Sequence, residues 1–134
     1  HDVVEDCQRY NIKDIEQSIN VNLLGFLKIA QVCLPHWKEM KFGRVVIISS
    51  LYGFSSRKGR IAYAIAKHSL IGAMKSMAIE FGSYGVTVNS VSPGYIDTTM
   101  TSKNNSPAKI KQLTKGVSLG RLGTPSDIAG AVAF

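Results

Sequence analysis

Tyr63 and Lys67 stand four residues apart in the run YAIAK, inside a stretch of Ala and Ile that is otherwise apolar. On an α-helix, positions i and i+4 share a face, so this spacing sets a phenol beside an ammonium. A free phenol titrates at about 10, too high for ready proton exchange at neutral pH, and a neighbouring positive charge favours its anion. The pair is thus a candidate general acid and base. The same two residues also fit a plainer account, in which Tyr63 packs in a core with its hydroxyl satisfied and Lys67 stretches to water. Two polar residues upstream, Asn22 and Ser50, and a Pro93-Gly94 pair downstream decide which account the chain favours.

The elements that must position these residues can be read from periodicity. Ile15, Ile19, Leu23, Phe26, Leu27, Ala30 and Leu34 recur at three- and four-residue intervals and predict one long amphipathic helix, with Pro35 kinking it or standing in its final turn. Gly43 stops the helical segment. RVVIISS follows as a short β-branched run, predicting a parallel strand buried on both faces. A polar loop, LYGFSSRKGR, leads into a second helix over about 62–81, which carries Tyr63 and Lys67. VTVNSVS reads as a second strand, ended by Pro93-Gly94. Residues 95–119 are rich in Ser, Thr, Asn and Lys with weak helical periodicity, a candidate flap. TPSDIAGAVAF predicts a closing helix with Thr124 as N-cap, Pro125 at its first position and Asp127 at its third. Helix, strand, helix, strand is the rhythm of an α/β fold with parallel strands, whose ligands sit beyond the carboxyl ends of those strands. Ser50 and Pro93-Gly94 lie at those ends. Two strands cannot cover their own apolar faces, so the 134 residues read as part of one larger α/β domain.

Composition narrows the chemistry. Hydrophobic residues make up 45% of the chain, which is the balance of a globular protein. Charge or glycine interrupts the apolar runs before a membrane span is reached, so no membrane helix is expected, and HDVVEDCQRY lacks the features of a secretory leader. Cys7 and Cys33 show no metal spacing, and neither do His1, His36 and His68; reduced thiols and a cytoplasmic location are the expectation, with no metal site. The net charge is +7, with acids concentrated at Asp2, Glu5, Asp6, Asp14 and Glu16 and bases spread beyond them. This balance suits an anionic ligand or carrier, while no aromatic and basic interleaving points to nucleic acid.

Several segments together resemble a classical short-chain dehydrogenase/reductase, in its central and C-terminal part. They are NVNLLG at 20–25, GRVVIISS at 43–50, YAIAK at 63–67, GVTVNSVSPGYIDTTM at 85–100 and GRLGTPSDIA at 120–129, in the family's order and spacing. The resemblance implies a doubly wound parallel, Rossmann-like sheet, of which this chain lacks the N-terminal strands and the last strand, and of which residues 1–134 are part of a single domain. It implies an NAD(P)-dependent oxidoreductase that interconverts a carbonyl and a secondary alcohol, with Asn22, Ser50, Tyr63 and Lys67 as the catalytic set. In that set Tyr63 exchanges the proton and Ser50 polarises the substrate oxygen. Lys67 supports the phenolate and holds the nicotinamide ribose, and Asn22 anchors a water on the proton path. Pro93, Gly94, Ile96 and Thr98, with Tyr63 and Lys67, would border the cofactor. Taken alone, Asn22 also suits a helix residue bonding a neighbouring turn, and Ser50 a strand-end hydroxyl satisfying the backbone.

The family's Gly-rich pyrophosphate turn and its NNAG motif are absent from these residues, as is the determinant that separates NAD from NADP; NADP is placed ahead of NAD. GVSLGRLG has the wrong spacing for that turn and reads as a loop. The general look is that of 3-oxoacyl-carrier-protein reductases and related reductases of sugar metabolism. Arg57, Lys58 and Arg60, with Lys103, Lys109, Lys111 and Lys115, are candidates to receive an anionic carrier or simply solvated charge. A homodimer or homotetramer is expected, through the two apolar helices. The alternative from another class is a non-enzymatic relative using the same fold as a binding or assembly module.

Overall fold

A computed structural model describes residues 10–134. Cys7 and the acidic residues Asp2, Glu5 and Asp6 lie outside the described residues. The described chain forms two compact units, divided between Ser90 and Val91.

In the first unit, Asn11 caps helix α1 (Ile12–Ile19), accepting from the Lys13 N–H at 3.0 Å, with Asp14 in the favourable first turn. The expected single helix then departs from ideal geometry. Residues Asn20–Leu24 form a π turn before α2 (Gly25–Met40) continues the same helical run. The local cause is Asn22, whose side-chain amide donates to the Ser18 carbonyl at 3.0 Å and occupies an acceptor of the ordinary i−4 ladder. Pro35 lies inside α2, which runs on to Met40. The continuous run Ile12–Met40 is long and apolar enough to cross a membrane by length and composition, a length that the count of uninterrupted apolar residues did not anticipate. Its Leu23, Phe26, Leu27, Ala30 and Trp37 pack on the core of this unit.

Lys41 ends α2 in the left-handed conformation (φ 49°), and strand β1 (Gly43–Ile48) follows. Helix α3 (Ile61–Gly82) then crosses over to β2 (Val86–Val91), which pairs with β1 in a parallel two-stranded sheet. The strands alternate instead of being buried on both faces. Val45, Ile47, Val86 and Val88 are buried with Leu70 and Met77 of α3, while Val46 and Ile48 remain exposed. The reason is one-sided cover: in this unit the core helices pack on the odd-numbered face of β1. At the base of the core, Trp37 and Phe81 meet with ring centroids 6.2 Å apart.

In the second unit, the weakly periodic segment resolves into two short helices, α4 (Thr99–Asn104) and α5 (Pro107–Lys115). Ser106 separates them as the N-cap of α5, accepting from Lys109 N–H at 3.3 Å with Pro107 in the first turn. Residues 116–123 are turns, as expected, and a parallel bridge joins Ile96 to Gly123. Helix α6 (Pro125–Ala133) begins on the predicted cap. Thr124 and Asp127 form a reciprocal capping box, and Arg121 pairs with the Asp127 carboxylate at 2.8 Å. Arg121 and the Thr124 N–H hold that carboxyl well below the usual carboxylate range. This is an α/β chain of the doubly wound, Rossmann-like class.

Candidate active site

Strand β1 delivers Ser49 and Ser50 to its carboxyl end, and the first turns of α3 deliver Tyr63 and Lys67 to the same place. Ser50 is buried and caps the single 3₁₀ turn Leu51–Gly53, its Oγ accepting from the Tyr52 N–H at 3.2 Å. Capping uses a lone pair, so the Ser50 hydroxyl proton is still available to donate. Tyr63 is 38% exposed, which removes it from the core. Its contacts among the described residues are made by its ring: an edge-to-face approach to Tyr52 at 6.0 Å between centroids, and the Lys67 ammonium 5.7 Å from its centroid. Lys67 is half-buried and donates from Nζ to the Ile48 carbonyl at 3.3 Å, at the last residue of β1. Burial pulls its ammonium below the ordinary lysine value.

The i, i+4 spacing therefore does what helix geometry requires, and the ammonium stands between the phenol and the strand end. Two residues that sequence reasoning passed over hold this arrangement. Ser49 Oγ donates to the main-chain carbonyl of Lys67 at 3.1 Å, tying α3 to β1 at the turn that carries the lysine. Gly53 packs against the same point: a Cβ there would stand 2.7 Å from Ser49 Oγ and 3.2 Å from the Lys67 carbonyl oxygen. Only a glycine allows the 3₁₀ turn this close to the helix. The doublet Ser49-Ser50 was the available signal, since one serine faces the helix and the next the strand end. Asn22 is held within its own helix by the bond to Ser18, the local partner that a helix asparagine was expected to have.

The remaining predicted residues lie in the second unit. Asp97 N–H donates to the Gly123 carbonyl at 2.8 Å and Gly123 N–H to the Tyr95 carbonyl at 2.9 Å. In a parallel bridge of this kind the N–H and C=O of the intervening residue, Ile96, face away from Gly123. Thr98 caps α4, its Oγ1 accepting from the Thr101 N–H at 3.3 Å. Pro93 and Gly94 precede this segment without regular structure. Next to them, Ser92 Oγ is buried with no hydrogen-bond partner among the described residues.

Among the basic residues, Arg57 lies over the Tyr52 ring at 5.9 Å and Lys109 bonds Gln112 at 2.9 Å. A cavity of about 330 Å³ lies elsewhere in the first unit, between the N-terminal turns of α1 and the approach to α3. Asp14 and Lys58 line it, but none of Asn22, Ser50, Tyr63 or Lys67 does, so the concavity and the chemistry-bearing cluster do not coincide.

Known proteins place this geometry in a wider set. The 3-oxoacyl-[acyl-carrier-protein] reductase of Vibrio cholerae is 40% identical over 134 residues, covering 98% of this chain and 54% of the reductase. A structure of a 4-hydroxyisoleucine dehydrogenase mutant complexed with NADH and succinate superposes with a TM-score of 0.87 at 33% identity, over 95% of this chain and 53% of that one. A gluconate 5-dehydrogenase from Burkholderia cenocepacia in complex with NADP and tartrate gives a TM-score of 0.87 at 25% identity, over 94% of this chain and 50% of the dehydrogenase. The chain spans about half the length of the curated relatives it matches. Residues 3–134 also match a family described as enoyl-(acyl carrier protein) reductase. A match running through the strand-end serines, the Tyr63–Lys67 turn and the Thr124 cap identifies the chain as a member of the short-chain dehydrogenase/reductase family.

Proposed function

We propose that the protein is an NAD(P)-dependent oxidoreductase interconverting a carbonyl and a secondary alcohol, with Asn22, Ser50, Tyr63 and Lys67 as its catalytic set. The observation that carries this reading is the end of β1. There, among the described residues, a buried serine with an unspent proton, a phenol held by ring contacts and an ammonium 5.7 Å from that ring are carried by adjoining elements. Tyr63 Oη donates its proton to the oxygen of the reduced carbonyl and takes it back in the oxidation. Ser50 Oγ–H donates to the same oxygen and stabilises the charge that develops there. Lys67 favours the phenolate electrostatically. Asn22 keeps its side-chain oxygen for a water on the proton path.

A dinucleotide fits the residues that would border it. Ser92 Oγ is a buried orphan beside Pro93-Gly94, and the Ile96 N–H is turned away from its bridge partner, so polar groups stand ready for a ligand there. Tyr63, Lys67, Pro93, Gly94, Ile96 and Thr98 would hold its nicotinamide half, and the bound dinucleotide supplies the hydride. NADP is favoured over NAD, in keeping with the excess of positive charge.

Similarity to carrier-protein reductases supports a 3-oxoacyl thioester on an acidic carrier, and similarity to a gluconate dehydrogenase supports a sugar-derived substrate. Residues 1–134 belong, in this reading, to one Rossmann-like domain of a cytoplasmic enzyme that binds neither nucleic acid nor membrane. Val32 of α2 and Ile79 of α3 are 80% and 82% exposed, which supports pairing of these helices across a two-fold axis in a homodimer or homotetramer. Light scattering that finds only monomer would remove that part. The functional test is titration of the full-length protein with NADH and NADPH, followed by assay with a 3-oxoacyl thioester and with a keto-gluconate. Binding with turnover of either substrate is expected. Binding without turnover of any carbonyl would favour the assembly module, and absence of binding to both dinucleotides would sink the enzymatic reading.

A further inference from the structure

We infer that Thr101 is a positioning residue that sets the hydrogen-bonding polarity of the Ile96–Thr98 segment to match a primary carboxamide; this rests on the dinucleotide reading above. Thr101 Oγ1 donates to the Ile96 carbonyl at 2.6 Å, and a hydroxyl has one proton to give. Toward Thr98 Oγ1, 3.2 Å away, Thr101 can therefore only accept, and Thr98 must be the donor of that bond. Thr98 Oγ1 also accepts from the Thr101 N–H at 3.3 Å, which leaves it one lone pair and no proton.

The same threonine fixes the neighbouring backbone. The Ile96–Asp97 peptide is held at both ends, its N–H on the Gly123 carbonyl at 2.8 Å and its C=O on Thr101. Gly123 adds a steric clamp, because a Cβ there would lie 2.6 Å from Ile96 Cδ1. With one lone pair of its carbonyl spent on Thr101, Ile96 offers a ligand its N–H and one remaining acceptor site. The segment consequently presents one donor, Ile96 N–H, and otherwise only acceptors, the remaining lone pairs of the Ile96 carbonyl and of Thr98 Oγ1. A primary carboxamide supplies the complement of each: its C=O accepts and its NH₂ donates. Without the Thr101 hydroxyl, the Thr98 proton is free to point at the ligand, where it opposes an NH₂ group, and the Ile96 carbonyl loses its anchor.

The test uses the full-length protein and two ligands, the dinucleotide it binds more tightly and the 3-acetylpyridine analogue, in which a methyl replaces the amide NH₂. Thr101→Val is nearly isosteric and removes only the hydroxyl. It is expected to weaken binding of the natural dinucleotide by about 5- to 10-fold and of the analogue by less than about 2-fold. Thr101→Ser keeps the hydroxyl and is expected to bind both ligands as the wild type does. Equal losses for both ligands in Thr101→Val, no loss for either, or failure of Thr101→Val to fold would assign the hydroxyl to ordinary structure and overturn the inference. A wild type that binds neither ligand would bring down the functional reading first, and this inference with it.

Discussion

At the N-terminal end of β1, Arg44 donates to the carbonyls of Gly43 and Gly85 at 2.9 and 3.3 Å and lies over the Phe42 ring at 4.6 Å, while Lys38 lies over the Tyr84 ring at 4.6 Å. At the C-terminal end the polar groups are similar in kind and differently used. Ser50 accepts one bond and keeps its proton, Tyr63 is held by its ring, and Lys67 has one bond to a carbonyl at 3.3 Å. Cations at the first end are consumed in fastening the turn between α2 and β1 to the turn before β2. Groups at the second end are fastened through neighbours, Ser49 and Gly53, so that among the described residues the Tyr63 hydroxyl and the Ser50 proton carry no bond and Lys67 Nζ gives one of its three protons. The comparison separates residues that hold an end together from residues held in readiness, and substitutions at the two ends can break it.

The largest effect is expected at Tyr63. Tyr63→Phe keeps the ring that meets Tyr52 and removes only the hydroxyl, so folding and dinucleotide affinity should be preserved while kcat falls by at least about 10²-fold. Steady-state assay beside a fluorescence titration of the cofactor measures both. Normal turnover in this variant would return Tyr63 to a packing role.

Next come two glycines, one at each end. Gly85 has φ +70° and stands against the Lys41 carbonyl, and Gly53 stands against Ser49 and Lys67. Alanine at either position is expected to cost about 1–3 kcal/mol in chemical denaturation, from backbone strain at Gly85 and overpacking at Gly53. Their consequences for turnover should differ. Gly53→Ala moves the turn that fixes Ser50 and Lys67 and should also lower kcat by about 10-fold or more, whereas folded Gly85→Ala should turn over as the wild type does. Equal kcat in the two variants would show that the positioning argued for Ser49 and Gly53 has no catalytic consequence.

These pins mark the limit of what the sequence made legible. The Thr124–Pro125–Asp127 cap was readable because every partner lies within four residues, and helix α3 was readable because a long run of Ala- and Ile-rich sequence, apolar on nearly every side, ends at the turn residues of GSYG. The π turn was not, since apolar spacing of three and four residues tolerates one extra residue per turn, and Asn22 gives its reason only when its bond to Ser18 is seen. The one-sided burial of β1 was hidden too: VVII reads the same whether one face is covered or both. Tyr63 and Lys67 were visible as a pair, but Ser49 and Gly53 act on a helix turn more than a dozen residues away, and the Ser49-Ser50 doublet marks a strand end without naming the helix turn that one serine reaches.

The smallest expected effect concerns the stability of the C-terminal end rather than its chemistry. Burial lowers the folded-state value of Lys67 below that of a free lysine, so between the two values the unfolded chain holds more protons than the folded one. Stability contributed by this site therefore rises as pH increases through that interval. The cost of holding the ammonium partly out of water is fully present below the folded-state value and disappears as pH nears the free value of about 10.4. Lys67→Met keeps an unbranched stem, removes the charge and gives up one 3.3 Å bond to an acceptor that already belongs to the strand end. Turnover should be lost, yet the apo variant should melt slightly above the wild type at pH 7, with the gap closing toward pH 10. Arg44→Met at the opposite end loses two hydrogen bonds and a ring contact, and should melt below the wild type at both pH values. Thermal melts of the two variants at the two pH values form the test. A Lys67→Met protein that melts well below the wild type at pH 7 would place Lys67 with Arg44 among the fastening residues, and the distinction between the two ends of β1 would rest on Tyr63 and Ser50 alone.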